Sequence, residues 1–247
     1  AIEIHGYGTE RIEEDVERLF PDTKVARMDT DTTRSRTAYQ EIIDDFAAGR
    51  NKILIGTQMV TKGLDFDRVS VVGIINADGM LAFPDFRAHE RAFQLMAQVA
   101  GRSGRGKSSG TVIVQTSQPE HPVIAQVIHH DYKGMYDRQC AEREAFGYPP
   151  YTRLIYIYLK HKDEALLDTL AQRYAATLRQ VFDHRVIGPD NPPVARIQSL
   201  YIRKIMLKIE VSASMAQVKS LLRRIYEKCL DDTRFKTLTL YYDVDPL

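Results

Sequence analysis

The sequence predicts an α/β domain built on a parallel sheet, followed by a smaller α+β domain, and three observations lead there. Short apolar runs alternate with helical patterns over residues 1–150, the rhythm of strands joined by crossover helices. Beyond residue 150 the order becomes β-α-β-β-α-β. Charge changes at the same place: residues 1–150 carry 18 Lys and Arg against 22 Asp and Glu, and residues 151–247 carry 16 against 11. We place the domain boundary at residue 150, where Tyr148-Pro149-Pro150 interrupts a helical pattern.

In the first part, Thr9 is a candidate helix cap, with Ile12, Val16 and Leu19 following at helical spacing. Residues 25–28 read as a strand and residues 36–48 as a helix ended by Gly49. Apolar runs at 53–55, 69–75 and 111–114 predict three more strands, with a helix over 86–100 between the last two. A long helical pattern then spans about residues 122–144. On it Tyr132, Met135 and Tyr136 form a packing stripe. His129-His130-Asp131 makes a poor metal site, because adjacent helical residues point in different directions.

In the second part, residues 153–159 predict a strand, and Asp163 caps a helix burying Leu167, Leu170, Tyr174, Leu178 and Val181. A Pro-rich stretch at 188–193 leads to a short strand near 194–197, then to an alternating one at 203–211. Ser214 and Gln217 form a capping box before a helix bearing Val218, Leu221, Leu222, Ile225 and Cys229. Residues 237–244 predict the last strand. This order is the ferredoxin-like split βαβ, in which both helices cover one sheet face. Ile155, Ile157 and Leu159 would then face the helices with Ile205, Leu207, Ile209 and Val211. Tyr156, Tyr158, Lys204, Met206 and Lys208 point the other way, joined by Tyr241. Tyrosines between lysines on an open sheet suit base stacking plus phosphate contact, the chemistry of single-stranded DNA binding. The same face would also serve to pack against another domain.

Composition narrows the class. With 44% hydrophobic and 27% charged residues and a net charge of +1, the chain is globular. No apolar run reaches the roughly 20 residues of a membrane span, and no basic, apolar leader opens the chain. The expectation is a cytoplasmic protein with no membrane partner. Cys140 and Cys229 are far apart with no CxxC, which excludes a zinc or disulfide framework within this sequence. The start at Ala1, without methionine, reads as a piece of a longer protein.

Residues 101–108 satisfy the Walker A pattern GxxxxGK[ST] letter by letter. A P-loop, however, needs a strand before the loop and a helix after it. Here a helical segment enters and a strand leaves. Arg102 and Arg105, three apart beyond a helix end, instead suit binding of phosphate oxygens, with Gly101 allowing close backbone approach. Standing alone, the stretch would be a solvated basic loop. Upstream, residues 53–66 run from a strand into a Gly-containing turn, where ligands of open α/β sheets sit. There Asp65 could orient a ribose or the arginines, or simply close a turn. Thr57 and Lys62 could hold a phosphate backbone.

The segments GTQMVTKGLDF (56–66) and QVAGRSGR (98–105) resemble motifs V and VI of DEAD/DEAH-type helicases. Asn76-Ala77-Asp78 and the 85–91 segment DFRAHER resemble one family in particular, the primosomal protein N′ (PriA) family of bacterial replication-restart helicases. Gly8-Thr9-Glu10-Arg11, Ala26-Arg27-Met28-Asp29, Asp31-Thr32-Thr33, Gln115-Thr116, Pro119-Glu120-His121 and Asp243-Val244-Asp245-Pro246 fit as well. The resemblance implies a RecA-like second helicase lobe followed by the family's C-terminal domain, in an ATP-dependent enzyme that reloads the replication machinery at stalled forks. Arg102 and Arg105 would act on the ATP phosphates, while Gln98, Gly101 and Gly63–Asp65 line the cleft. ATP and Mg²⁺ are the implied cofactors, and the family's zinc-binding cysteines would lie upstream of this chain. Implied partners are single-stranded and forked DNA, single-stranded-DNA-binding protein and other primosome proteins, and the implied location is the bacterial nucleoid. One departure stands out: where the family usually has Tyr-Arg, this chain reads Tyr201-Ile202-Arg203-Lys204, which moves the arginine to the opposite sheet face. Two other readings stay open, a self-sufficient P-loop enzyme using Lys107 and a non-catalytic nucleic-acid-binding module.

Overall fold

The structure, a computed structural model, describes residues 8–57, 60, 69–101 and 110–246. It divides into two compact units, residues 1–137 and 138–247.

The first unit alternates helices and strands: α1 (Thr9–Leu19), β1 (Val25–Met28), α2 (Arg36–Ala47), β2 (Ile53–Gly56), β3 (Val71–Ile74), α3 (Ala77–Leu81), α4 (Ala88–Ala100), β4 (Thr111–Val114) and α5 (Pro122–Ile128). β1 pairs with β2 and β3 with β4, both in parallel, as crossover helices require. Thr9 is not the cap of α1. It is the first helical residue, and its hydroxyl bonds Asp29 instead. The apolar residues of α3, α4 and α5 meet in one cluster that includes Ala77, Phe93, Met96, Ile124 and Val127.

The pattern at 122–144 is two helices rather than one. After α5 the chain breaks at His129–Asp131, with His130 in the left-handed region at φ 53°, and α6 (Tyr132–Phe146) restarts with the Asp131 carboxylate accepting from Gly134 N–H (2.8 Å). The two histidines thus lie at a helix break. Met135 is buried, but Tyr132 and Tyr136 are exposed, so the packing stripe is reduced to one residue. The boundary between the two units falls inside α6.

The second unit continues with β5 (Thr152–His161), α7 (Glu164–Phe182), β6 (Val186–Asp190), β7 (Arg196–Ile197), β8 (Leu200–Glu210), α8 (Met215–Cys229) and β9 (Thr239–Val244). Its sheet is antiparallel with order β6-β8-β5-β9, and β7 adds to β8. Omitting β7, the four strands stand in the ferredoxin-like order, fourth-first-third-second. Asp163 and Ser214 cap α7 and α8 as their sequences require, accepting from Leu166 N–H (3.0 Å) and Gln217 N–H (3.5 Å).

Two expectations are corrected here. The short strand expected near 194–197 is present as the two-residue β7, but the second strand of the split βαβ is Val186–Asp190. It runs through Pro189, which an edge strand tolerates because its missing N–H costs no pairing, and its register shifts between Ile187 and Asp190. Val211 lies past the end of β8 and is exposed, and Val181 is likewise exposed while Phe182 takes the buried position on α7. The remaining alternation holds. Ile155, Ile157, Leu159, Ile205, Leu207 and Ile209 are buried in one cluster with the inner faces of α7 and α8.

Candidate nucleotide and nucleic-acid sites

In the first unit, aspartates at strand ends organise the loops. Asp29 closes β1, and its carboxylate accepts from Thr9 Oγ1 (2.6 Å) and from the N–H groups of Asp31 and Thr32 (3.0 Å each), with Arg27 Nε 3.5 Å away. The Thr9 hydroxyl first, then the Thr32 amide, hold the Asp29 carboxyl down at about 2. Asp78, in α3, accepts from Ser117 N–H (2.8 Å), Ser117 Oγ (2.6 Å) and the Thr116 hydroxyl, ties that lower its pKa. Asn76, in the left-handed region at φ 58°, caps α3 through Gly79 N–H and donates its own N–H to Gln115 Oε1 (3.3 Å). Asp85 accepts from Arg87 N–H (2.7 Å) and lies 3.5 Å from Arg91. These residues, met in the sequence as motif letters, pin the turns at the strand ends.

Of the predicted nucleotide-facing residues, Gln98 is exposed in the last turn of α4, and Gly101 terminates that helix. Thr57 is exposed where the chain leaves β2, its carbonyl accepting from Val60 N–H (3.1 Å). Lys62, Gly63, Asp65, Arg102, Arg105 and Lys107 lie outside the described residues. The flanking elements are nonetheless clear. α4 leads into residues 102–109 and β4 follows them, the reverse of the strand-loop-helix order of a P-loop.

In the second unit, pairing places Tyr156 opposite Met206, and Tyr158 opposite both Lys204 and Tyr241. These five project from the sheet face that α7 and α8 do not cover. Tyr158 and Tyr241 stack with ring centroids 5.0 Å apart, and Tyr156 meets Tyr158 edge-on at 6.3 Å. Lys160 Nζ lies 4.8 Å over the Tyr241 ring and Lys204 Nζ lies 4.6 Å over Tyr156, both cation–π distances. Burial raises the Tyr158 pKa, so its hydroxyl is neutral at pH 7.

Lys208 has a different environment. Its ammonium donates to the Phe146 carbonyl (2.6 Å), sits 3.8 Å from the Tyr148 ring centroid, and has a pKa lowered by burial. The end of α6 therefore occupies this end of the sheet face, and Leu154, two residues before Tyr156 in the alternation, is fully buried. The sequence holds no local signal for this, because Phe146 lies 62 residues before Lys208.

Arg203 faces the helices, as its position in the alternation requires. Its guanidinium bonds both carboxylate oxygens of Asp168 and reaches Glu164 Oε1 at 2.9 Å, joining β8 to the start of α7. Among the described residues, no group of three or more His, Cys, Asp and Glu side chains could hold a metal ion. No described helix is long and apolar enough to cross a membrane.

Comparison with known proteins assigns both parts. Residues 6–107 match the helicase conserved C-terminal domain family, and residues 144–247 match the primosomal protein N C-terminal domain family. The chain is 36% identical to replication restart protein PriA of Bacillus subtilis, over 99% of this chain and 30% of that protein. It is 37% identical to PriA of Synechocystis, over 100% of this chain and 29% of that protein. To PriA of Haemophilus influenzae it is 34% identical, over 98% of this chain and 33% of that protein. The chain thus spans about a third of the length of these relatives. With a helicase C-terminal domain followed by a primosomal C-terminal domain, the chain belongs to the PriA family.

Proposed function

We propose that this chain is the second lobe and C-terminal domain of an ATP-dependent DNA helicase that restarts stalled replication forks, working as residues 1–150 and 151–247. The observation that carries this reading is the passage from α4 through Gly101 to β4, which puts the two-arginine segment beyond a helix end. Arg102 and Arg105 reach phosphate oxygens of ATP bound against a partner lobe that supplies the P-loop and the Mg²⁺-binding acid. The bound Mg²⁺–ATP supplies the phosphoryl transfer that drives the cycle. Gln98, Gly101, Gly63 and Asp65 line the same cleft, and Thr57 and Lys62 grip the DNA backbone. Without a partner lobe, the 247-residue chain hydrolyses no ATP. In the whole protein, Arg105→Ala should lower kcat by roughly 10³–10⁵ with a much smaller effect on ATP binding. Normal hydrolysis by that variant with DNA present would reduce the loop to a solvated basic turn.

The tyrosine face supports a second element of the same reading, single-stranded DNA held by stacking on Tyr156, Tyr158 and Tyr241 beside Lys160 and Lys204. Lys208 acts there through its hold on α6 rather than on phosphate. Forked DNA, single-stranded-DNA-binding protein and other primosome proteins are the partners this reading carries. A cytoplasmic, nucleoid-associated location follows from them.

A further inference from the structure

Besides the tyrosine face, the second unit carries another cluster of cations, on α8. α8 carries Lys219, Arg223, Arg224 and Lys228 against a single acid, Glu227. All five are exposed, while Val218, Leu222, Ile225 and Cys229 anchor the opposite side of the helix in the core. Four other cations of this unit are neutralised, Arg173 and Arg234 by Asp232, Arg185 by Glu210 and Arg203 by Asp168 and Glu164. The four on α8 have no ion-pair partner among the described residues.

Their arrangement around the helix is specific. At about 100° per residue, Lys219 and Arg223 form one row, Arg224 and Lys228 a second, and Ser220 and Glu227 lie between them. No aromatic ring is exposed on α8, since Tyr226 is partly buried against the core. The surface therefore offers charge without stacking, which suits phosphates and not unstacked bases. It is also convex and lacks exposed apolar anchors, unlike a groove for an acidic peptide. A helix of roughly 10–12 Å diameter matches a major groove about 12 Å wide, so two cation rows can meet the two backbones that flank it.

We propose that the outer face of α8 is a duplex-DNA surface, contacting phosphates on both sides of a groove through Lys219/Arg223 and Arg224/Lys228. It lies on the helix-covered side of the sheet, away from the tyrosines. One domain then holds a single strand on one side and a duplex on the other, as a forked substrate presents them. The proposal rests on the reading of the chain as a DNA-handling protein but uses no residue of the tyrosine face.

The test is fluorescence anisotropy with the full 247-residue chain, a labelled blunt duplex of mixed sequence and a labelled oligothymidylate, each across a salt series. The Lys219→Gln/Arg223→Gln variant should lower the slope of log affinity against log salt for the duplex by about 1.8, and adding Arg224→Gln/Lys228→Gln by about 1.8 again. Oligothymidylate binding should change less than about twofold, since stacking dominates it. Lys219→Arg/Lys228→Arg should keep the parent slope, which separates charge from any fold defect. An unchanged duplex slope in the fourfold variant would overturn the proposal. Tyr156→Leu/Tyr158→Leu tests the other face: if it spares oligothymidylate while the α8 variants still lose duplex, the stacking reading fails and this one stands.

Discussion

Arg203 makes the sharpest case for an arginine with a structural role. Its side chain is only 9% exposed, whereas Glu164 and Asp168 are 50% and 52% exposed. The three partners are therefore not equivalent. Glu164→Ala/Asp168→Ala would strand a buried guanidinium with the Ile202 carbonyl (3.2 Å) as its remaining acceptor. Breaking a buried pair from that side costs about 3–5 kcal/mol. Arg203→Met leaves two half-exposed acids that water can reach, so the loss should be no more than about 1–2 kcal/mol. Placing Arg203→Met in the acid-free background should then recover about 2 kcal/mol, because it removes the stranded charge and keeps an apolar stem of similar length. Native-state hydrogen exchange, read on the peptide covering Leu200–Glu210, isolates this strand from the rest of the chain. If Arg203→Met proved as costly as the acid pair, or the triple variant no better than the double, burial would not be what makes this cluster asymmetric.

Two further outcomes follow from the same structure. Tyr174 is fully buried and its hydroxyl meets that of Tyr242 at 2.7 Å; Tyr174→Phe or Tyr242→Phe should each cost about 1 kcal/mol, and the double variant little more than either, in urea denaturation followed by tyrosine fluorescence. Strictly additive losses would mean the hydroxyls do not depend on each other. For Asp29, whose carboxyl is held at about 2 against an ordinary 3.8, the stabilisation is complete above about pH 5 and drains as pH falls toward 2, since the unfolded chain takes up the proton first. Asp29→Asn should flatten the acid limb of thermal stability over that window, and an unchanged limb would refute the assignment.

Local patterning determined much of this protein. Apolar spacing located most helices and strands, and the capping residues Asp163 and Ser214 marked where α7 and α8 begin. The period-two alternation of β5 and β8 decided which side chains meet the helices, and the reversed order around residues 101–108 separated the arginine loop from a P-loop. Local signals carry this because helix period, strand period and caps involve residues within a few positions of one another.

Tertiary structure decided the rest, through groups far apart in the chain. Val186–Asp190 is a strand because β8 pairs with it, and nothing within its Pro-containing letters says so. Lys208 looks like its neighbour Lys204 in the alternation, yet the Phe146 carbonyl, 62 residues earlier, takes its ammonium out of the open face. Asp29 and Asp78 look like motif letters until Thr9 and Ser117, 20 and 39 positions away, prove to donate to them. The basic face of α8 is visible in the sequence as spacing. That it stands on the side of the sheet away from the tyrosines depends on both helices packing on one face, and long-range burial of the core sets that arrangement.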